Sequence, residues 1–161
     1  MEKILILYAS STGNTEEIGR LLQEALIQKN LPATLKNLEM DEMDVQQLLD
    51  FDGILFGTYT YDDGDLPFET EVFSDQLETM DLSGKIVGIF GSGDTAYFLF
   101  CQAVDEMKER FEKANATVIE HTVKIDLNPD EAEDFASIKK LADQFQKMLH
   151  EKNQETGGWK K

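Results

Sequence analysis

The spacing of apolar residues changes along this chain, and each change marks an element. Five short stretches rich in Ile, Leu, Val and Phe recur: Lys3–Tyr8, Ala33–Leu38, Gly53–Thr58, Lys85–Gly91 and Ala116–Ile125. The first, third and fourth are continuously apolar rather than alternating, which predicts central parallel strands covered on both faces. The second and fifth mix in polar residues and are expected at the edges. Between the strands the period becomes helical. Ile18, Leu21, Leu22, Ala25 and Leu26 form one apolar stripe, and Phe100, Val104, Met107, Phe111 and Ala114 a second. A third runs through Phe135, Ile138, Ala142, Phe145 and Leu149. It is entered where Asn128 can cap, Pro129 can occupy the first turn and acidic residues follow. Glu39–Asp44 reads as a solvated turn with a short helix.

Strands alternating with helices predict βαβ units and an α/β fold: a doubly wound, five-stranded parallel sheet with helices on both faces and right-handed crossovers. One domain is expected over residues 1–150, with 151–161, including Trp159, as a frayed tail. No repeat or low-complexity tract interrupts it.

In such a sheet, ligands bind at the carboxyl ends of the strands, and three polar, glycine-bearing loops fall there. Ser10, Ser11, Thr12, Gly13, Asn14 and Thr15 follow the first strand and open a helix. Unpaired amides at a helix start attract an anion, hydroxyls add donors, and glycine lets the backbone approach closely. The loop has neither the lysine of a nucleotide-hydrolysing loop nor three spaced glycines; a Ser/Thr-rich capping turn is the alternative. Thr58–Pro67 follows the third strand, is long for its place and carries Tyr59 and Tyr61. Gly91–Tyr97 follows the fourth and also ends in an aromatic. One anion-type loop beside two aromatic-bearing loops suggests a flat aromatic ligand carrying a phosphate.

These three motifs, in this order, resemble those of flavodoxins over Lys3 to about Leu149. The resemblance implies a flavodoxin-like sheet of order 2-1-3-4-5, in the short-chain form, and non-covalent FMN as cofactor. It assigns Ser10 through Thr15 to the FMN phosphate, with Thr58 and Thr60 nearby. Tyr59 and Asp63 fall in the same flavin loop. Tyr61 takes the inner-face aromatic position and Tyr97 the outer one. Ser92, Gly93 and Asp94 would meet the pyrimidine end, with Cys101 close by. One residue departs from the pattern: Asp62 stands where the family usually has glycine, at a peptide that flips on one-electron reduction. Aspartate tolerates the turn less well than glycine, so the expectation is a retained flip with a less stabilised semiquinone.

The 161-residue chain has 15 basic and 32 acidic side chains, a net charge of −17. That surface disfavours nucleic acid and anionic membrane, and it attracts basic proteins in a salt-dependent way. The resemblance makes the partners basic redox proteins: an NADPH-dependent reductase as donor and low-potential acceptors, met by a monomer. The acids Asp62, Asp63, Asp65, Glu69 and Asp94 in or beside the flavin loops, with Glu16 and Glu17, would make the fully reduced flavin hard to form. A single cysteine and a short apolar N-terminal run predict a reducing, cytoplasmic setting. No Ser-His-Asp set or metal-spaced cluster is present, so no substrate turnover is expected. His121 and His150 read as surface residues. A flavin enzyme of the same fold, quinone reductase-like or ribonucleotide-reductase-activating, is the runner-up. A phospho-receiver module would need acidic residues where "SSTGNT" and "GTYTY" stand.

Overall fold

The computed structural model describes residues 2–61, 64–97 and 99–157. Its strands are β1 (Ile4–Tyr8), β2 (Ala33–Asn37), β3 (Gly53–Tyr59), β4 (Ile86–Gly93), β5 (Thr117–Val118) and β6 (Val123–Asp126). Its helices are α1 (Asn14–Ile27), α2 (Phe68–Leu77), α3 (Gln102–Lys113) and α4 (Ala132–Gly157), with a 3-10 turn at Val45–Asp50. All strands are parallel, in the order β2-β1-β3-β4-β5, and β6 also pairs with β4. The expected α/β fold and strand order are thus present.

The continuously apolar strands bury both faces because successive side chains alternate between two cores. Leu5, Leu7, Ile54, Phe56, Val87 and Ile89 meet Phe73 and Leu77 of α2 and Val104, Met107 and Phe111 of α3. Ile4, Ile6, Leu55, Ile86 and Phe90 meet Ile18, Leu22 and Leu26 of α1 and Ile138, Leu141 and Phe145 of α4. Lys29 and Lys139 both pair with Asp143, tying the end of α1 to α4 and holding the Asp143 carboxyl below its usual range.

Several boundaries differ from the sequence expectation. The fifth strand is two segments. Ile119 stays in the core, its N–H bonded to the Val87 carbonyl at 2.8 Å. The chain then bends past His121, whose Nε2 sits 3.0 Å from the Ser137 carbonyl on α4. α4 begins at Ala132, not at Asn128: the Asp134 carboxylate accepts from the Asp130 and Glu131 N–H groups, each at 3.2 Å, and sets the start there. Phe135, counted in the third stripe, is 47% exposed, and Leu141 packs inward instead. Phe100 lies in the turn before α3. Helical backbone continues from Glu151 to Gly157, where a frayed tail was expected; Glu151, Lys152 and Gln154 are good helix formers, and Asn153 bonds to Glu2. Trp159 lies outside the described residues. Among the described residues no helix is long and apolar enough to cross a membrane.

Candidate functional site

β1, β3 and β4 end together and open into a cleft of about 710 Å³, its open mouth included. Ser11, Thr12, Asn14 and Thr15 line it from the first loop, and Tyr59 and Thr60 from the second. Ser92, Gly93, Asp94, Tyr97 and Cys101 line it from the third.

In the first loop Ser10 works inward: its Oγ accepts the Gly13 N–H at 3.2 Å and the Glu16 N–H at 3.3 Å. Gly13 takes a left-handed φ of 92°, which delivers the chain into α1, and as the N-cap residue it adds no side-chain bond of its own. The N–H groups of Asn14 and Thr15 have no hydrogen-bond partner among the described residues. They carry the partial positive charge of a helix start. The Thr15 hydroxyl is buried and lies 2.7 Å from Ser92 Oγ, fastening the first loop to the third.

In the second loop, Thr58 also faces inward. Its hydroxyl donates to the Tyr59 carbonyl at 3.0 Å and pairs with Thr70 Oγ1 at 2.9 Å. Thr60 Oγ1 accepts the Ala103 N–H at 3.2 Å, capping α3 from another loop. Tyr59 donates its hydroxyl to Glu69 at 3.2 Å; burial, then the Glu69 charge, pushes the phenol up to about 12. Tyr61 does not line the cleft. Its N–H and carbonyl both pair with Asp65, at 2.7 and 2.8 Å, and the ring stands 60% exposed over a neighbouring groove shared with Phe68. Gly64 closes this turn with a φ of 101° against Leu99, where a Cβ would come within 2.8 Å. Asp62 and Asp63 lie outside the described residues.

In the third loop the Asp94 carboxylate accepts the Ala96 N–H at 2.9 Å, and Tyr97 is half exposed at the cleft mouth. Cys101 is buried behind Gly93 with a φ of 53°. Burial pushes its thiol up to about 12, against some help to the thiolate from Lys124.

Sequence reasoning missed three lining residues, Leu99, Phe100 and Leu127. The first two sit in the "YFLF" run beside Tyr97, and Leu127 follows the fifth strand at the same sheet edge as the other loops. Together the lining has donors at one end and an aliphatic and aromatic wall at the other, and among the described residues no Lys, Arg or His. Partnerless amides at a helix start suit the phosphate of FMN, and the wall suits its ring, so the residues fit that group. Among the described residues no cluster could hold a metal ion.

The Cys101 environment predicts two measurements. At pH 8 a buried thiol pushed up to about 12 holds very little thiolate, so alkylation of the native protein should be slower than that of the urea-unfolded chain by more than about tenfold. Stability should fall as pH rises from about 9 toward 12. In that window the unfolded chain has released the proton that native Cys101 keeps, and Tyr59 acts in the same direction between about 10 and 12. Urea midpoints at pH 8 and pH 11 check this; equal midpoints would contradict it.

A flavodoxin family profile matches residues 6–140. Probable flavodoxin 1 of Bacillus subtilis (strain 168) is 39% identical over 145 residues, covering 90% of this chain and 90% of that protein. The flavodoxin of Maridesulfovibrio salexigens is 39% identical over 136 residues, covering 83% of this chain and 92% of its own. The crystal structure of oxidised flavodoxin 2 from Bacillus cereus superposes with a TM-score of 0.86 at 45% identity, covering 91% of this chain and 99% of that one. In sequence and in backbone alike, this chain belongs to the flavodoxin family of FMN-carrying electron-transfer proteins.

Proposed function

We propose that this chain is a low-potential, one-electron carrier that holds FMN in the cleft and turns over no substrate of its own. The observation that carries the reading is one cleft that, among the described residues, has partnerless helix-start amides at one end, an apolar wall at the other and no basic side chain between them. The Asn14 and Thr15 amides, with the side chains of Ser11, Thr12 and Asn14, would hold the phosphate. Tyr97 would cover the outer ring face, beside Leu99 and Leu127. Ser92, Gly93 and Asp94 would meet the pyrimidine end, with Asp62 and Asp63 in the loop beside the ring. Ser10, Thr15, Thr58 and Thr60 brace the loops that carry these groups.

Bound FMN supplies single-electron chemistry, alternating between half-reduced and fully reduced forms. The protein biases that chemistry through charge and exclusion of water. A carboxylate about 8 Å from the added electron, at an effective dielectric of about 40, opposes it by about 1 kcal/mol, on the order of 45 mV. Asp94, Glu69 and Asp65 stand in or beside the loops, and among the described residues no basic lining residue offsets them. The apolar wall adds to the penalty by limiting hydration of the new charge. The same negative surface, −17 over the chain, would steer basic donors and acceptors, an NADPH-dependent reductase among the donors, toward the monomer.

An anaerobic reductive titration of the FMN-loaded protein tests the reading. The expected course passes through a one-electron stage, seen as long-wavelength absorbance, before the flavin bleaches. A direct two-electron bleach, together with steady turnover of NADPH and a quinone, would favour a flavin enzyme of this fold instead.

A further inference from the structure

We propose that Asp126, at the carboxyl end of β6, is a positioning residue for the flavin site: it holds the third loop through Thr95, and FMN affinity depends on that hold. The inference rests on the FMN reading above. Both oxygens of the carboxylate are committed to one residue. Oδ1 accepts the Thr95 N–H at 3.1 Å, and Oδ2 accepts the Thr95 hydroxyl at 3.0 Å. The neighbouring residue adds a second tie, the Leu127 N–H donating to the Gly93 carbonyl at 2.7 Å. Leu127 reaches that position through a left-handed φ of 60°, an unusual conformation for a residue with a Cβ, and its side chain lines the cleft.

The other hydrogen bonds of the segment from Asp94 to Tyr97 are local: the Asp94 carboxylate to the Ala96 N–H, and the Asp94 carbonyl to the Tyr97 N–H. Among the described residues, Asp126 therefore supplies the hydrogen bonds that fix this segment to the sheet. Those bonds are charge-assisted and two-pronged, which sets direction as well as distance. Asp126 and Thr95 are both exposed, so their pairing adds little to global stability. Its effect falls on binding: a loop ordered beforehand loses less freedom when a ligand arrives.

The experiment measures FMN dissociation constants by fluorescence quenching on the apoproteins, with visible circular dichroism of the bound flavin and urea unfolding beside them. Asp126→Ala should bind FMN about tenfold more weakly and alter the dichroism, with an unchanged urea midpoint. Thr95→Val should lose less, about threefold, because the N–H remains. Thr95→Ser should match the wild type. The double variant Asp126→Ala/Thr95→Val should bind no more weakly than Asp126→Ala alone, because both changes remove the same contact. If Asp126 acted only as a negative charge, Asp126→Ala would tighten the binding of anionic FMN, and that result overturns the proposal. Unchanged affinity, or losses that add in the double variant, also overturns it. Failure of the wild type itself to bind FMN is a separate outcome, which removes the FMN reading and this inference with it.

Discussion

Asn14→Asp is expected to weaken FMN binding about a hundredfold while leaving the apoprotein at least as stable as the wild type. Asn14 is the first residue of α1, lines the cleft and has an N–H without a partner among the described residues. A carboxylate about 6 Å from a phosphate of nearly two negative charges, at an effective dielectric of about 40, opposes binding by about 3 kcal/mol, on the order of a hundredfold. The same carboxylate at a helix start interacts favourably with the helix dipole, by about 0.5 kcal/mol. The two effects have opposite signs, so a loss of affinity cannot be put down to misfolding. The loss should shrink at high salt, because part of it is screened. A fluorescence titration and a urea curve on one sample read both numbers. Unchanged affinity would mean that the phosphate binds somewhere other than the start of α1.

Phe56→Ala is expected to cost about 4 kcal/mol of folding stability. Phe56 is fully buried at the centre of β3. Its ring stacks on Phe73 of α2 with centroids 5.0 Å apart and an interplanar angle of 7°, and it meets Phe111 of α3 at 5.5 Å. Truncation would leave a cavity between the sheet and both helices, where the rigid neighbouring rings cannot collapse into the space. For a chain of this size the loss corresponds to roughly 12 °C in Tm. Phe56→Leu, which fills much of the volume, should cost well under half as much. Phe56 faces away from the cleft, so FMN affinity well below the melting temperature should change little. Calorimetry of the three proteins checks the order; a Tm for Phe56→Ala within a few degrees of wild type would contradict this account of the core.

The central strands were legible in the sequence because burial on both faces makes them apolar without interruption, as in Ile4–Leu7 and Ile86–Phe90. α2 was not, because its buried face includes Thr70 and Ser74 beside Phe73 and Leu77, which blurs the apolar stripe. The break between β5 and β6 was hidden for a related reason: Ile119 and Val123 are buried on either side of the bend and read as one run. The three cleft loops could be found because residue type and sheet-edge logic both point to them. The direction of Tyr61 could not, since it follows from two backbone bonds to Asp65 that no residue pattern announces. Asp126 and Leu127 were passed over because they sit at the end of an edge strand. There only the structure shows that the strand's end returns to Thr95 and Gly93.

The most direct measurement is a titration of FMN with the apoprotein, followed by the loss of flavin fluorescence. The account predicts quenching that saturates at one FMN per chain and weakens when Asn14 becomes Asp. Fluorescence that stays at the level of free FMN, however much protein is added, would contradict the claim that this cleft is a flavin site.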